Sequence, residues 1–343
     1  MQTQHLTPCP QIPRSQGARC SRGNRRTVAT FPFDEHGILL RRHAIELGYD
    51  DNWLWRTRKA GEIVRMRQGA YADAHVWKAA SRAEQHRLVS RAVMMQYDDR
   101  VALSHVSNHL LAGGPDWGLD LTTAHVTNLF GRGDRTKAGV THHHGQCRVG
   151  DVTRYDDFWV TASARTAVDT AAAAPLVPAV CVLDWWLNQG LVTRDELAFY
   201  VEIFMRWWPM TVGLPTAFAR SDGRSQSVGE TRSRLLLEDG GYQPIPQFEV
   251  AHPSGRLVGV VDLVLREEGV MIEFDGEVKY GRLLKPGQKL EDVIRAERDR
   301  EKLLQELTGM WMLRLVWADL ATPERTLRRI GEIVAKAGSR RAG

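Results

Sequence analysis

The sequence predicts an α+β protein of several domains, and three observations support this fold class. The chain has 343 residues, which is enough for two or three domains. Helix-like and strand-like apolar periodicities both occur, separated by clusters of glycine, proline and serine. The last third of the chain reads as the order α-β-β-β-α-β. Apolar residues make up 43% and charged residues 25%, which is typical of globular domains.

The net charge of +5 originates in the N-terminal tail. Residues 1–33 contain five arginines and no acidic residue, so the rest of the chain has 41 basic and 41 acidic residues. A nucleic-acid surface must therefore be a local patch. The tail is rich in Pro, Gln, Arg, Ser and Thr, and we expect it to be disordered.

Cysteine use and hydropathy indicate the compartment. The four cysteines lie far apart without a C-x-x-C pair, so neither a disulfide scaffold nor a cysteine zinc site is expected. No apolar run reaches the roughly 18 residues that span a membrane. The N-terminus also lacks the layout of a signal peptide. We expect a cytoplasmic protein without membrane contact.

Composition and periodicity divide the chain into domains. Residues 73–98 read as one helix, and residues 207–226 combine prolines, glycines and serines as a linker does. The expected parts are a tail at 1–33, a first domain at 34–98, a middle domain at 99–206, a linker at 207–226, a last domain at 227–335 and a basic tail at 336–343.

Residues 38–48 predict a short helix that ends in a tight turn. Gly48 suits the positive φ that ends a helix. Asp50 or Asp51 is then placed to cap a second helix over residues 52–60. The residues expected on one face of the first helix are Leu40, Ala44 and Leu47.

A hairpin follows the second helix, with Gln68 and Gly69 at its tip. Helix, turn, basic helix and hairpin are the plan of a winged helix-turn-helix, whose second helix enters the major groove while the wing contacts phosphates. The alternative is a small helical domain with a solvated basic face, since such patterns also arise by chance. The predicted DNA contacts are Asn52, Arg56, Arg58, Lys59, Arg65 and Arg67.

This part of the chain resembles the winged-helix domain of AbiEi-family antitoxins. The resemblance rests on Ala44, Gly48, the Trp-containing second helix and the wing at 65–71. It extends less sharply over residues 104–107, 123–127 and 161–169. It implies that the first domain binds DNA, often to regulate its own operon, and that a toxin encoded nearby is a possible partner.

Two apolar strands in the last domain carry acidic residues. Residues 258–266 and 270–275 form a predicted hairpin. Glu273 and Asp275 share one face by strand alternation, and Asp262 lies on the neighbouring strand. A lone buried carboxylate costs several kcal/mol unless it is paired or bound to a metal.

Three carboxylates and a lysine at one end of a sheet suit hard divalent cations. Lys279 follows the second strand at its exit. Glu230, at a helix start, can complete the metal shell through water. The predicted cofactor is Mg²⁺ or Mn²⁺, with Asp262, Glu273, Asp275 and Glu230 as its ligands.

The C-terminal third resembles the PD-(D/E)XK nuclease superfamily, near its very-short-patch repair endonucleases and DUF559-like proteins. The resemblance covers about residues 226–320 and implies a restriction-endonuclease-like αβββαβ domain with metal-dependent cleavage of DNA. It implies that Asp262 and Glu273 hold the metal and that Lys279 orients water. The residues that carry it lie at 229–234, 261–263, 272–279, 291–292 and 297–303.

One position departs from the E-x-K pattern of that superfamily, because residue 275 is Asp. Either Lys279 takes the lysine role or Asp275 is a further metal ligand. The function expected is a DNA-binding, metal-dependent endonuclease in phage defence, a mobile element or DNA repair. The alternative is an antitoxin-like transcriptional regulator with an inactive nuclease fold.

A run of histidines at 142–144, near Cys147, raises the question of zinc. Adjacent residues point in different directions, so at most two of the three converge. No second ligand cluster is evident in the sequence. A polar loop is therefore favoured over a tetrahedral zinc site.

Overall fold

A computed structural model describes residues 32–130, 135–144, 147–205, 213–276 and 290–341. Within these residues the protein is a mixed α+β structure with 13 α-helices and 13 strands in three sheets. The α+β prediction is confirmed. The chain forms two compact units, Met1–Thr170 and Ala171–Gly343. Among the described residues no helix is both long and apolar enough to cross a bilayer.

The first unit begins with two short helices and a small antiparallel sheet of order β1-β3-β2. The carboxylate of Asp50 accepts a hydrogen bond from the Trp53 N–H at 2.7 Å, and Gly48 has φ +88°, as predicted for the cap and the turn. Residues 38–40 form a strand and the helix starts only at Arg41, so Leu40, Ala44 and Leu47 do not share one helix face. Leu47 is 62% exposed. The elements are β1 (Ile38–Leu40), α1 (Arg41–Glu46), α2 (Asp51–Lys59), β2 (Ile63–Arg67) and β3 (Ala70–Asp73).

The single helix expected at residues 73–98 is two helices, α3 (Ala74–Ala79) and α4 (Arg82–Tyr97). Ala80 is extended and Ser81 starts the second helix. The Ser81 N–H donates to the Glu84 carboxylate at 2.6 Å, and the Glu84 N–H donates to the Ser81 hydroxyl at 3.3 Å. This reciprocal capping box interrupts the helical pattern at Ser81.

Helix α4 packs against two sheets of the first unit. Ala92 lies in the core of the small sheet, whereas Val93 and Met94 lie in the core of the six-stranded sheet. Helix α4 is buried on both faces and belongs to both cores. The structure therefore shows no separation at residue 98 between the domains expected at 34–98 and 99–206. The compact unit continues to Thr170.

The six-stranded sheet has the order β6-β7-β5-β4-β9-β8. Helix α5 (His105–Leu111) follows β4, and α6 (Ser163–Ala172) follows β9. Strands β5 and β7 are parallel, with His125 opposite Thr141 and Thr127 opposite His143. The strands are β4 (Val101–Leu103), β5 (Ala124–Asn128), β6 (Arg135–Lys137), β7 (Val140–His143), β8 (Val152–Tyr155) and β9 (Phe158–Thr161).

The second unit begins with helices and includes part of the expected linker at 207–226. Helix α9 lies inside that segment, and Gly223 accepts a hydrogen bond from the Asn188 side chain at 3.0 Å. A Cβ at Gly223 would lie 2.6 Å from the Leu187 Cβ, so this backbone is packed closely. Residues 213–226 are thus folded chain and not a linker. The helices are α7 (Leu176–Asn188), α8 (Arg194–Met205), α9 (Leu214–Ala219) and α10 (Val228–Asp239).

The four-stranded sheet has the order β10-β11-β12-β13, antiparallel except for the parallel pair β12 and β13. The predicted order of helices and strands in this region is observed. One face packs against α10 and α13, and the other packs against Leu304 of α11. The elements are β10 (Ile245–Ala251), β11 (Leu257–Leu265), β12 (Val270–Phe274), α11 (Leu290–Thr308), β13 (Trp311–Leu315), α12 (Trp317–Leu320) and α13 (Pro323–Arg341).

Candidate functional site

Asp262 and Glu273 lie on neighbouring strands of the four-stranded sheet. The register pairs Leu263 with Ile272, which places Asp262 opposite Glu273 and on the same face. The Asp262 carboxylate accepts a hydrogen bond from the Phe274 N–H at 2.8 Å. The structure therefore brings together the two carboxylates that the strand pattern selected.

Two arginines neutralise Glu273. A guanidinium nitrogen of Arg300 lies 3.1 Å from one Glu273 oxygen, and Arg314 lies 3.9 Å from the other. Burial raises the pKa of Glu273, Arg300 opposes this shift, and the nearby Asp262 charge adds to it. Arg300 is 40% exposed, whereas Arg314 is held by further ion pairs with α11. Arg300 is the cation that a metal ion would have to displace.

Asp275 follows β12 directly. Its N–H donates to the Leu315 carbonyl at 2.8 Å, which extends the pairing with β13. Its Oδ1 is buried and has no hydrogen-bond partner within the described chain. Strand alternation places Asp275 on the face of Glu273. A buried oxygen left without a donor is available to a cation. Lys279 lies outside the described residues.

Glu230 uses both carboxylate oxygens at the start of α10. Oε1 accepts from the Ser227 hydroxyl at 2.9 Å, and Oε2 accepts from the Gln226 N–H and the Gln247 amide, each at 2.9 Å. Gln247 adopts φ +50°, an uncommon conformation for a non-glycine residue. The structure thus gives Glu230 a capping role, and its part in a metal shell through water remains a prediction.

The carboxylates do not form a compact group of three. In the described parts of the chain, only three histidines place three potential ligand atoms within 4.8 Å of one another. Asp262 and Glu273 form an adjacent pair, and Asp275 adds one unpartnered oxygen at the end of β12. Of the predicted four-residue shell, the structure pairs Asp262 with Glu273, and the roles of Asp275 and Glu230 as ligands remain predictions.

Most of the predicted DNA contacts share an exposed position in the first unit. Arg67 differs, because its guanidinium is half-buried beside the Tyr97 ring, and burial lowers the pKa of Arg67. A register shift between Arg65 and Arg67 breaks the strand alternation and turns Arg67 inward. The half-buried position of Arg67 does not favour a phosphate contact, and the DNA contacts of both wing arginines remain predictions. The exposed residues are Asn52, Arg56, Arg58, Lys59 and Arg65.

Three histidines converge on one face of the six-stranded sheet. His105 begins α5, while His125 and His143 lie on the parallel strands β5 and β7. Nδ1 of His125 lies 2.9 Å from Nε2 of His143, and the rings of His105 and His143 stack with centroids 3.6 Å apart. His142 points to the other face, where its ring contacts Tyr97.

Two histidines of the cluster have lowered pKa values. Burial lowers the pKa of His105 well below its usual range, and the neighbouring histidines lower it further. Burial and His143 lower the pKa of His125 to about 4. His105 also has φ +51°, an unfavourable conformation outside glycine. Neutral imidazole is the form that binds metal ions.

Sequence reasoning missed His105 and His125 as partners of His143. Each lies in its own short segment, 20 and 18 residues apart along the chain. The available signal was that His125 and His143 occupy polar positions in two apolar strands. That signal becomes specific only when the strands are known to be parallel neighbours.

Comparison with known proteins does not assign the chain to a family. No protein-family model matches it, and no curated protein matches it. The resemblances to AbiEi-family antitoxins and to PD-(D/E)XK nucleases remain predictions from the sequence. Function is accordingly argued from the side chains described above.

Proposed function

We propose that the chain is a DNA-binding protein whose second unit hydrolyses phosphodiester bonds with a divalent metal ion. The observation that carries this proposal is the pairing of Asp262 and Glu273 on adjacent strands, with Asp275 two residues after Glu273 and its Oδ1 without a hydrogen-bond partner among the described residues. These residues lie within an α-β-β-β-α-β order of elements. The resemblance to PD-(D/E)XK nucleases supports the same reading.

Oxygen ligands favour Mg²⁺ or Mn²⁺. Asp262, Glu273 and Asp275 are the residues that would hold the ion. When bound, such an ion lowers the pKa of a coordinated water and stabilises charge on the phosphate. Arg300 would leave Glu273 as the ion binds, and its exposed position allows it to turn toward a DNA phosphate.

The first unit supplies the proposed DNA-binding surface. Helix α1, the turn at Gly48, helix α2 and the β2–β3 hairpin follow the order of a winged helix-turn-helix. Exposed basic side chains lie on α2, and Arg65 is exposed on the hairpin. The resemblance to AbiEi antitoxins favours the same role. Phosphate contacts of this kind bind DNA with a strong salt dependence.

A second candidate is a DNA-binding regulator without nuclease activity, with a toxin as its proposed partner. Its support is that the carboxylates already have partners inside the protein. Arg300 and Arg314 neutralise Glu273, and Asp262 accepts the Phe274 N–H. A retired nuclease fold can keep such contacts for stability.

A cleavage and binding assay on the full chain tests both candidates. Supercoiled plasmid and branched DNA are incubated with Mg²⁺ or Mn²⁺, with chelator as the control. We expect metal-dependent cutting by the wild type, no cutting by Asp262→Asn, and equal DNA binding by both in chelator. Binding without cutting and without Mg²⁺ uptake in calorimetry would establish the regulator. Absence of DNA binding would reject both.

Variants at Lys279 and Asp275, where the sequence departs from the E-x-K pattern, test the proposed mechanism. If Lys279 has taken the lysine role, Lys279→Ala loses cutting but keeps metal and DNA binding, because an ammonium group near the phosphate acts on the transition state. If Asp275 is a ligand, Asp275→Asn loses Mg²⁺ uptake together with cutting. Cutting by both variants at the wild-type rate would exclude either role.

A further inference from the structure

The six-stranded sheet assembles a ligand set that differs from the carboxylates in chemistry. His125 and His143 project from the same face of two parallel strands, and His105 reaches them from the start of α5. Their ligand atoms all lie within 4.8 Å of one another. We propose that His105, His125 and His143 bind one transition-metal ion of the Zn²⁺ class.

The distance between two ring nitrogens of the cluster is close to the distance expected between two ligands of one zinc ion. Two nitrogens on a tetrahedral zinc ion lie about 3.3–3.4 Å apart, given bonds of about 2.0–2.1 Å. Nδ1 of His125 and Nε2 of His143 are 2.9 Å apart, so one of them donates a hydrogen bond to the other. If a metal ion bound both rings, the donor ring would move its proton to its outer nitrogen, and the two inner nitrogens would separate by only a few tenths of an ångström.

The outer ring nitrogens of His105 and His125 each have a hydroxyl partner, as the outer nitrogen of a metal-binding histidine has a polar partner. Nδ1 of His105 lies 3.0 Å from the Ser104 hydroxyl, and Nε2 of His125 lies 3.3 Å from the Thr123 hydroxyl. Thr123 is in turn 2.7 Å from the hydroxyl of Thr141. Such contacts fix which nitrogen of each ring faces the metal. They leave the inward nitrogens of His105 and His125 for coordination.

Burial suits a cation with one open position. His105 is buried, while His125 and His143 are only partly buried. Three protein ligands leave a fourth position for water or another ligand. The positive charge of Arg165 acts on His105, but Arg165 is itself paired with Asp169 at 2.7 Å and with Asp151 at 3.7 Å, which offsets that charge.

The ligand chemistry distinguishes this site from the proposed nuclease site. Imidazole nitrogen suits Zn²⁺ and its neighbours in the transition series, whereas carboxylate oxygen suits Mg²⁺. The two sites therefore take different metals and are tested independently.

Metal binding is measured on the full chain after treatment with chelator. Zn²⁺ is titrated by calorimetry, Co²⁺ uptake is followed by its visible absorption, and metal content is measured by mass spectrometry. We expect one equivalent of Zn²⁺ and a tetrahedral Co²⁺ spectrum. His125→Gln and His143→Gln should each weaken Zn²⁺ binding by more than roughly 100-fold, the upper limit for changes outside the ligands themselves.

His142→Gln is the matched control, because His142 neighbours His143 but points to the opposite face. It should retain one equivalent, as should Asp262→Asn, whether or not the chain cuts DNA. Circular dichroism verifies that each variant is folded. No Zn²⁺ uptake by the wild type would overturn the proposal. The same holds for equal uptake by His125→Gln, His143→Gln and the control.

Discussion

Two sets of potential ligands are stabilised inside the protein in different ways: the carboxylates of the four-stranded sheet and the histidines of the six-stranded sheet. Glu273 is charged, so the fold supplies Arg300 and Arg314 beside it. Burial lowers the pKa of His105 and His125, which disfavours their charged forms, and the partners described for the cluster are its own rings and nearby hydroxyls. A charged ligand set requires internal counter-charges when no metal is bound, whereas a neutral set requires only hydrogen bonds.

This difference changes what a metal ion must displace. On the carboxylate face the ion competes with a guanidinium that already neutralises Glu273. On the histidine face a bound ion would replace the hydrogen bond between two imidazoles, and the donor ring would move its proton to its other nitrogen. We therefore expect Mg²⁺ to bind weakly in the absence of DNA and Zn²⁺ to bind tightly without DNA. The following predictions test this contrast, from the largest expected effect to the smallest.

Arg165→Leu is expected to destabilise the protein most. Arg165 is 3% exposed and faces Asp151 and Asp169, so its removal leaves buried carboxylates without their counter-charge. Breaking a buried ion pair from one side costs about 3–5 kcal/mol. The matched change Arg300→Leu, at a 40% exposed side chain, should cost about 1 kcal/mol or less. Chemical denaturation measures both, and equal losses would show that burial does not separate the two arginines.

Asp262→Asn is expected to reduce metal-dependent cleavage by at least roughly 100-fold. Removing a charged ligand loses several kcal/mol of transition-state stabilisation, and about 1.4 kcal/mol corresponds to tenfold in rate. Single-turnover cleavage of plasmid DNA with Mg²⁺ measures it. Glu249→Gln is the control, because Glu249 is exposed on β10. A similar loss in the control would indicate a general charge effect.

His109→Gln is expected to make the free energy of unfolding depend less strongly on pH under acidic conditions. Burial lowers the pKa of His109 from 6.5 to about 4. Between these values the unfolded chain binds a proton that the folded chain does not, so stability falls as pH decreases from 6.5 to 4. The slope should be up to about 1.4 kcal/mol per pH unit steeper in the wild type than in the variant.

The difference between the two curves isolates His109. Burial raises the pKa of Asp169 and Asp184 to about 6, and these groups work in the opposite direction over pH 4–6. They contribute equally to the wild type and the variant, so they cancel in the comparison. Parallel curves from urea unfolding at several pH values would contradict the assignment of a buried neutral ring at His109.

The two wing arginines should show the smallest difference. Arg65 is exposed, whereas the Arg67 guanidinium lies against Tyr97. Arg65→Ala should reduce the salt slope of DNA binding by about one, the loss of one phosphate contact. Arg67→Ala should leave the slope unchanged, because its guanidinium lies inside the fold. Fluorescence anisotropy at several salt concentrations measures both, and a reversed order would place Arg67 at the DNA.

Local patterns predicted much of what is observed. The Asp50 cap, the Gly48 turn and the pairing of Asp262 with Glu273 follow from neighbours within about a dozen residues. The segment 213–226 was misjudged, since its two glycines and its proline suggested a linker although it packs against α7. The composition of a segment indicates which conformations it can adopt, but packing against the rest of the protein decides whether it is buried.

By itself the sequence determined the α+β class, the order of elements in the four-stranded sheet and the carboxylate pair across one hairpin. These depend on periodicity and on contacts between consecutive strands. Only the tertiary structure decided the ion pair of Arg300 with Glu273 and the meeting of His105 with His125 and His143. Those contacts join elements that are distant along the chain, and their distances depend on how helices and parallel strands pack, which no local pattern specifies.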